Sequence, residues 1–178
     1  MQIPLRRVLP SNLGRRALSQ DLRQAQSAAS SLNGASDLFK NVLIVRKTPR
    51  YFRLKDTEYI NHPYIRDVLL GGWIDATQTH FDICEKFEQV ARPFCDQLTV
   101  VQEWPLRPKD TRDKSLIISL GGDGTFLRTS SMIESCDTPL VGINTDPGRS
   151  LGILCSKFLY KDRTQPAHIE KIFVQLAK

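Results

Sequence analysis

Residues 116–127 read LIISLGGDGTFL, and no other stretch limits the possible folds as tightly. Leu116, Ile117, Ile118 and Leu120 form a short apolar run of the kind that buried strands show, and Gly121, Gly122, Asp123, Gly124 and Thr125 follow without a spacer. Phe126, Leu127, Ser130, Met132 and Ile133 then suit a helix better than a second strand. A strand therefore runs into a glycine-rich loop that opens a helix. Glycines packed this closely let the backbone take positive φ and come near a bulky ligand. At a helix start, the free N–H groups and the positive end of the macrodipole favour a phosphate. Asp123 would be repelled by that phosphate unless it binds Mg²⁺ or accepts a proton from an attacking hydroxyl, so the loop suits phosphoryl transfer. A tight turn in which Asp123 caps the next helix fits the same spacing.

Two better-known phosphate loops do not fit. No Lys-Ser or Lys-Thr follows the glycines, as a P-loop requires, and Leu127 stands where the dinucleotide fingerprint needs its third glycine. Residues 121–125 instead resemble the signature of the NAD kinases and of the lipid kinases that share their N-terminal fold. A second stretch, residues 140–155 (LVGINTDPGRSLGILC), separates the two. A strand ending in Gly142, Ile143 and Asn144, then Thr145, Asp146 and Pro147, then Arg149, Ser150 and Gly152, resembles the mitochondrial branch of the NAD kinases. The lipid kinases place a Pro-x-Gly-Thr-x-Asn-Asp type motif in this region, and the chain has none there.

The net charge of +6 is unevenly spread. Residues 1–36 hold Arg6, Arg7, Arg15, Arg16 and Arg23 against Asp21 alone, a net of +4, which leaves +2 for the rest. The remainder shows no basic patch interleaved with aromatics, so nucleic acid is not an expected partner. Arg-, Ser- and Ala-rich and nearly free of acid, the first 36 residues have the composition of a mitochondrial transit peptide, and a basic arm lying outside the fold is the alternative. No apolar run is long enough to span a bilayer, so no membrane partner is expected. Cys84, Cys95, Cys136 and Cys155 lack paired spacing, and His62, His80 and His168 lack ligand spacing. Free thiols and no metal site built from protein side chains are expected, and the histidines are given no role.

With 178 residues, 40% of them hydrophobic, one domain is expected, over residues 37–178. Residues 42–45 read as a first parallel strand, followed by Lys47, Thr48, Pro49, Arg50 and Tyr51, a basic loop that lies near phosphates or is simply solvated. A helix around residues 64–70 should end at Gly71 and Gly72. Phe81, Cys84, Phe87, Val90, Ala91 and Phe94 give the next helix one apolar face, with Asp82, Glu85, Lys86 and Glu88 opposite, and Pro93 should end it. Residues 98–101 and 139–143 complete the strands, and Ile169, Ile172, Phe173 and Leu176 mark a last helix. The pattern predicts an α/β fold, an open and mostly parallel sheet with helices on both faces, in which loops at the strand C-termini share one crevice.

The resemblance implies more. It implies the α/β N-terminal domain shared by NAD kinases and diacylglycerol kinases, without the β-rich second domain, so that this chain carries half of an active site. It implies transfer of the γ-phosphoryl group of ATP to the 2′-hydroxyl of the adenosine ribose of NAD, with Mg²⁺ accompanying the nucleotide and a mitochondrial matrix address. Asp123 would act as base or orienting carboxylate. Gly121, Gly122, Gly124 and Thr125 would surround phosphates, with Asn144, Arg149 and Gly152 in the same crevice. Nucleotides are the implied small-molecule partners, with a homodimer for full-length members. A lipid kinase of the same fold, and a non-catalytic short form that binds a nucleotide or a full-length subunit, are the alternatives.

Overall fold

The computed structural model describes residues 37–155 and 166–177, together with 23, 25–27 and 29. Four strands form one parallel sheet: β1 (Asn41–Arg46), β2 (Gln97–Gln102), β3 (Leu116–Gly121) and β4 (Leu140–Asn144), in the order β2-β1-β3-β4. The central strands β1 and β3 are covered on both sides, which is why each reads as a nearly continuous apolar run, broken in β3 only by the buried Ser119, rather than an alternating one. Their register sets Ile44 beside Ile118, and that of β3 on β4 sets Gly121 beside Asn144.

Alternate residues of β1 still point to different cores. Val42 and Ile44, with Leu116, Ile118, Leu120 and Ile143, pack against helix α2 (Leu70–Ala91) and helix α5 (Pro166–Leu176). Phe173 sits at the centre of this layer, stacked on Phe94 at 4.9 Å between centroids and tilted against Phe39 and Phe87. Leu43, Val45 and Ile117 face the other way, onto Leu106, Met132 and Ile133. Short helices α1 (Arg50–Leu54) and α3 (Pro108–Thr111) and helix α4 (Asp123–Ser130) lie on the connections at the strand ends. Among the described residues no helix is long and apolar enough to cross a membrane.

The strands and the last helix agree with the sequence reading, and α2 gives way to a single 3₁₀ turn at Pro93. Three expectations need correction. Gly71 and Gly72 do not end a helix: a π-turn over Ile65–Leu69 feeds α2, which runs through both glycines to Ala91. Each glycine costs about 1 kcal/mol in a helix interior, and the buried face at Thr77, His80, Cys84 and Phe87 outweighs that. Glu88 is not on the solvent face, because it is buried in an ion pair with Arg46 at the end of β1. Ala25 and Ala29, one helical turn apart, are buried in the main core, so the first 36 residues do not all lie outside the fold. The rest of that segment, including the position of any transit-peptide cleavage, falls outside the described residues.

Candidate functional site

The strand order turns between β1 and β3, and at such a switch point the loops leaving the two strands diverge and open a crevice. Backbone bonds extend the sheet one residue beyond the strands, from Lys47 N–H to the Leu120 carbonyl (2.8 Å) and from Thr145 N–H to the Gly121 carbonyl (3.0 Å). The loops after β1, β3 and β4 thus leave from one level and enclose a crevice of about 660 Å³.

Gly121, Gly122, Asp123, Gly124, Thr125, Asn144 and Arg149 all line this crevice, so the two motifs meet there. Gly152 is not among its lining residues. It is buried beneath Asn144, with φ of +57°, the left-handed conformation that the sequence reading placed in the first loop. Gly122 is extended (φ −112°), and no positive φ occurs at Gly121 or Gly124. Gly121 is needed for space instead, since a Cβ there would lie 2.4 Å from Thr125 Oγ1. A Cβ on Gly124 would meet nothing within 4 Å, so that position is open toward the crevice and whatever enters it.

Asp123 is the first residue of α4, but its carboxylate reaches across to the second motif rather than capping its own helix. Oδ2 accepts from Ile153 N–H (3.0 Å), and Oδ1 accepts from Leu154 N–H (2.9 Å) and from the Cys155 thiol (3.7 Å). Burial, with the Asp123 carboxylate beside it, pushes the Cys155 thiol up to about 11, so it stays protonated and donates. Each carboxylate oxygen has two acceptor sites, and Oδ2 retains one beyond these bonds.

Asn144 spends its amide on the loop that follows it. Nδ2 donates to the Ser150 carbonyl (2.9 Å) and Oδ1 accepts from Asp146 N–H (2.9 Å), so it shapes residues 145–150. Arg149 is exposed and paired with Asp146 at 3.2 Å. Thr125 is buried, and its hydroxyl bonds Glu103 at 3.3 Å.

Several site residues carry no motif and were not singled out as site residues from sequence. Glu103, just past β2, accepts from both Thr125 and the Thr48 N–H. Arg128 stacks its guanidinium 3.4 Å over Trp104. Arg53 comes in on α1 with Arg50, whose basic loop the sequence left open between a phosphate-facing and a solvated reading, and both line the crevice. The lining holds five cationic side chains, Lys47, Arg50, Arg53, Arg128 and Arg149, against Glu103, Asp123 and Asp146. That excess suits a polyanion. Thr48 Oγ1 is buried at this crevice without a hydrogen-bond partner, an orphan that a ligand oxygen would satisfy.

His80, given no role from sequence, is buried at 2% exposure behind the crevice. Its Nε2 lies 3.1 Å from the Lys47 carbonyl, which can only accept, so Nε2 carries the proton and Nδ1 accepts from the Thr145 hydroxyl at 2.9 Å. One imidazole thereby ties the loop after β1 to the loop after β4. The only sequence signal was its place on the apolar face of α2, four residues before Cys84. Burial, then the Lys47 cation, pushes the ring down to about 4. The unfolded chain therefore takes up a proton between pH 6.5 and 4 that the folded chain refuses, and stability falls as pH falls through that window. Equilibrium unfolding should show a loss of about 3 kcal/mol over this range that His80→Gln abolishes. An equal pH slope in both proteins would contradict a neutral, buried His80.

Among the described residues no three His, Cys, Asp or Glu side chains group as a metal cage. Mg²⁺ is usually held by one or two carboxylates together with substrate phosphates. Asp123, Asp146 and Glu103, spaced around a cationic crevice, fit a metal that would come with a nucleotide.

An open parallel α/β sheet with a glycine-led, carboxylate-bearing loop at its switch point suits phosphate binding, and the chain is similar to proteins that share this arrangement. Residues 79–153, which include the first motif and all but the last two residues of the second, match the family model described as the ATP-NAD kinase N-terminal domain. The chain is 30% identical over 166 residues to NAD kinase 2, mitochondrial, of Xenopus tropicalis, covering 86% of this chain and 38% of that protein. It is 25% identical to the Homo sapiens protein of the same name, over 90% of this chain and 38% of that one. A 32-residue segment is 53% identical to NAD kinase of Methanothermobacter thermautotrophicus, 18% of this chain and 11% of that one. The resemblance to the NAD kinase family, mitochondrial branch, therefore holds across most of the chain, which spans a little over a third of the length of its frog and human relatives.

Proposed function

We propose that this domain supplies the phosphate-binding loop and the acceptor-activating carboxylate of an ATP-dependent NAD kinase, forming NADP at the 2′-hydroxyl of the adenosine ribose. The observation that carries this reading is Asp123: a carboxylate at a helix N-terminus, clamped by two backbone N–H groups, with acceptor capacity left at the mouth of a cationic crevice. In this reading the 2′-hydroxyl donates its proton to Asp123 as it attacks the γ-phosphorus of ATP, and ADP leaves. Lys47, Arg50 and Arg53 neutralise the triphosphate, and the Gly122 to Thr125 backbone at the start of α4 approaches it closely. Catalysis is then chiefly positioning and charge neutralisation, to which a bound Mg²⁺ contributes. Asn144, Arg149 and Gly152 shape the wall on the side of β4, with Arg149 free to exchange Asp146 for a phosphate.

The mitochondrial names of the relatives and the basic leader composition support import into the mitochondrial matrix, with any removed segment ending ahead of Ala25, which is buried in the core. The β-rich second domain would complete the site, and a homodimer would form in longer versions.

The reading is tested by titrating the ¹⁵N-labelled chain with ATP and with NAD. Amide shifts should concentrate in residues 47–53, 121–125 and 144–154. Saturating changes elsewhere, or none at millimolar ligand, would contradict it.

A further inference from the structure

A second cavity, of about 370 Å³, adjoins the crevice and shares Arg50, Arg53 and Trp73 with it, adding Leu54 and Tyr59. Its chemistry differs from that of the phosphate end. Two aromatic side chains, one aliphatic side chain and two guanidiniums line it, and no carboxylate does. The Arg50 guanidinium lies over the Trp73 ring at 5.4 Å, a cation–π contact at the boundary between the cavities. Tyr59 is 57% exposed, a large aromatic surface left open beside them.

We propose that this shelf receives the nucleobase of the phosphoryl donor, a nucleoside triphosphate, stacked against Trp73 and Tyr59. The inference rests on the reading that the crevice binds nucleotide phosphates. Its placement follows from which residues line each cavity. Asp123 and the glycines line the crevice and not the shelf, so the acceptor hydroxyl and the γ-phosphate would meet in the crevice. Lys47 lies beside that loop, its Cβ 3.0 Å from where a Cβ on Gly121 would stand, and Arg50 and Arg53 on helix α1 line both cavities. A triphosphate laid along those cations brings its ribose and base to the residues that the two cavities share. Stacking on aromatic faces is tolerant of base identity, and the shelf offers no Asn, Gln or carboxylate to read a base edge. The donor site therefore selects for a flat base carrying a polyphosphate, not for one particular base.

Calorimetric titration of the full chain with ATP and with inorganic tripolyphosphate tests this, in wild type, Trp73→Ala and Tyr59→Ala, with thermal unfolding recorded for each. Wild type should bind ATP more tightly than tripolyphosphate. Trp73→Ala should weaken ATP about tenfold and tripolyphosphate by less, since Arg50 loses only the ring beneath it, and Tyr59→Ala, outside the phosphate crevice, should give a smaller loss for ATP with tripolyphosphate unchanged. Equal binding of the two ligands by wild type, an equal loss for both in the variants, or no loss for either would overturn the shelf. Wild type that binds neither ligand would overturn the phosphate crevice itself, and the shelf with it.

Discussion

In the chain joined to a β-rich second domain, Asp123→Asn is expected to lower NADP formation by about 10²- to 10⁴-fold, the contribution usual for a positioned general base. Two effects combine. The amide cannot take the proton of the attacking hydroxyl. It also puts an NH₂ where one carboxylate oxygen now accepts, so it opposes either Ile153 N–H or Leu154 N–H with another donor. Hydrogen exchange separates the two. Faster exchange at residues 153–155 with a cooperative unfolding transition retained would show that the carboxylate clamps the second motif. NADP formation within a few-fold of wild type in a folded variant would remove Asp123 from the reaction.

Gly152→Ala should destabilise the fold by about 3 kcal/mol, combining the left-handed conformation with overpacking. A Cβ at φ of +57° would stand 2.3 Å from Asn144 Nδ2 and 3.0 Å from Asn144 Cβ. Asn144 cannot turn away cheaply, because both ends of its amide hold the 145–150 loop. The unfolding midpoint should fall by roughly 6–12 °C for a domain of this size. The N–H groups that clamp Asp123 begin at the next residue, so nucleotide affinity should fall as well. Gly124→Ala is the contrast: its Cβ meets nothing in the fold and improves the helix, so stability should hold or rise slightly while nucleotide binding weakens. Calorimetric unfolding of both variants decides it. Equal stability for the two would contradict the assignment of Gly152 to packing and Gly124 to the ligand.

Much of this arrangement was legible in the sequence, because central parallel strands are apolar on both faces, and residues 42–45 are apolar throughout and 116–120 are apolar but for Ser119. The crevice was legible in outline, since a glycine loop and an Asn-led loop at neighbouring strand ends must share a wall. What did not show was anything that depends on distance in space rather than on spacing along the chain. His80 and Thr145 are 65 residues apart, Arg46 and Glu88 are 42 apart, and no local pattern marks either pair. Gly71 and Gly72 misled because propensity is local, whereas the face that holds α2 in place is tertiary. The left-handed glycine lay in the second motif and not the first for a related reason: Gly121 and Gly152 both lack room for a side chain, and only the fold of the loop beneath Asn144 shows that Gly152 is the one with positive φ.

The most direct test of the kinase reading is NADP formation from NAD, ATP and Mg²⁺, measured for this chain alone and for the chain joined to the β-rich second domain that the resemblance implies. Turnover should appear in the joined protein, be lost on Asp123→Asn, and be absent or far weaker in the chain alone. A folded joined protein that binds both nucleotides yet makes no NADP would contradict the assignment, and would favour a domain that binds nucleotides without transferring phosphate.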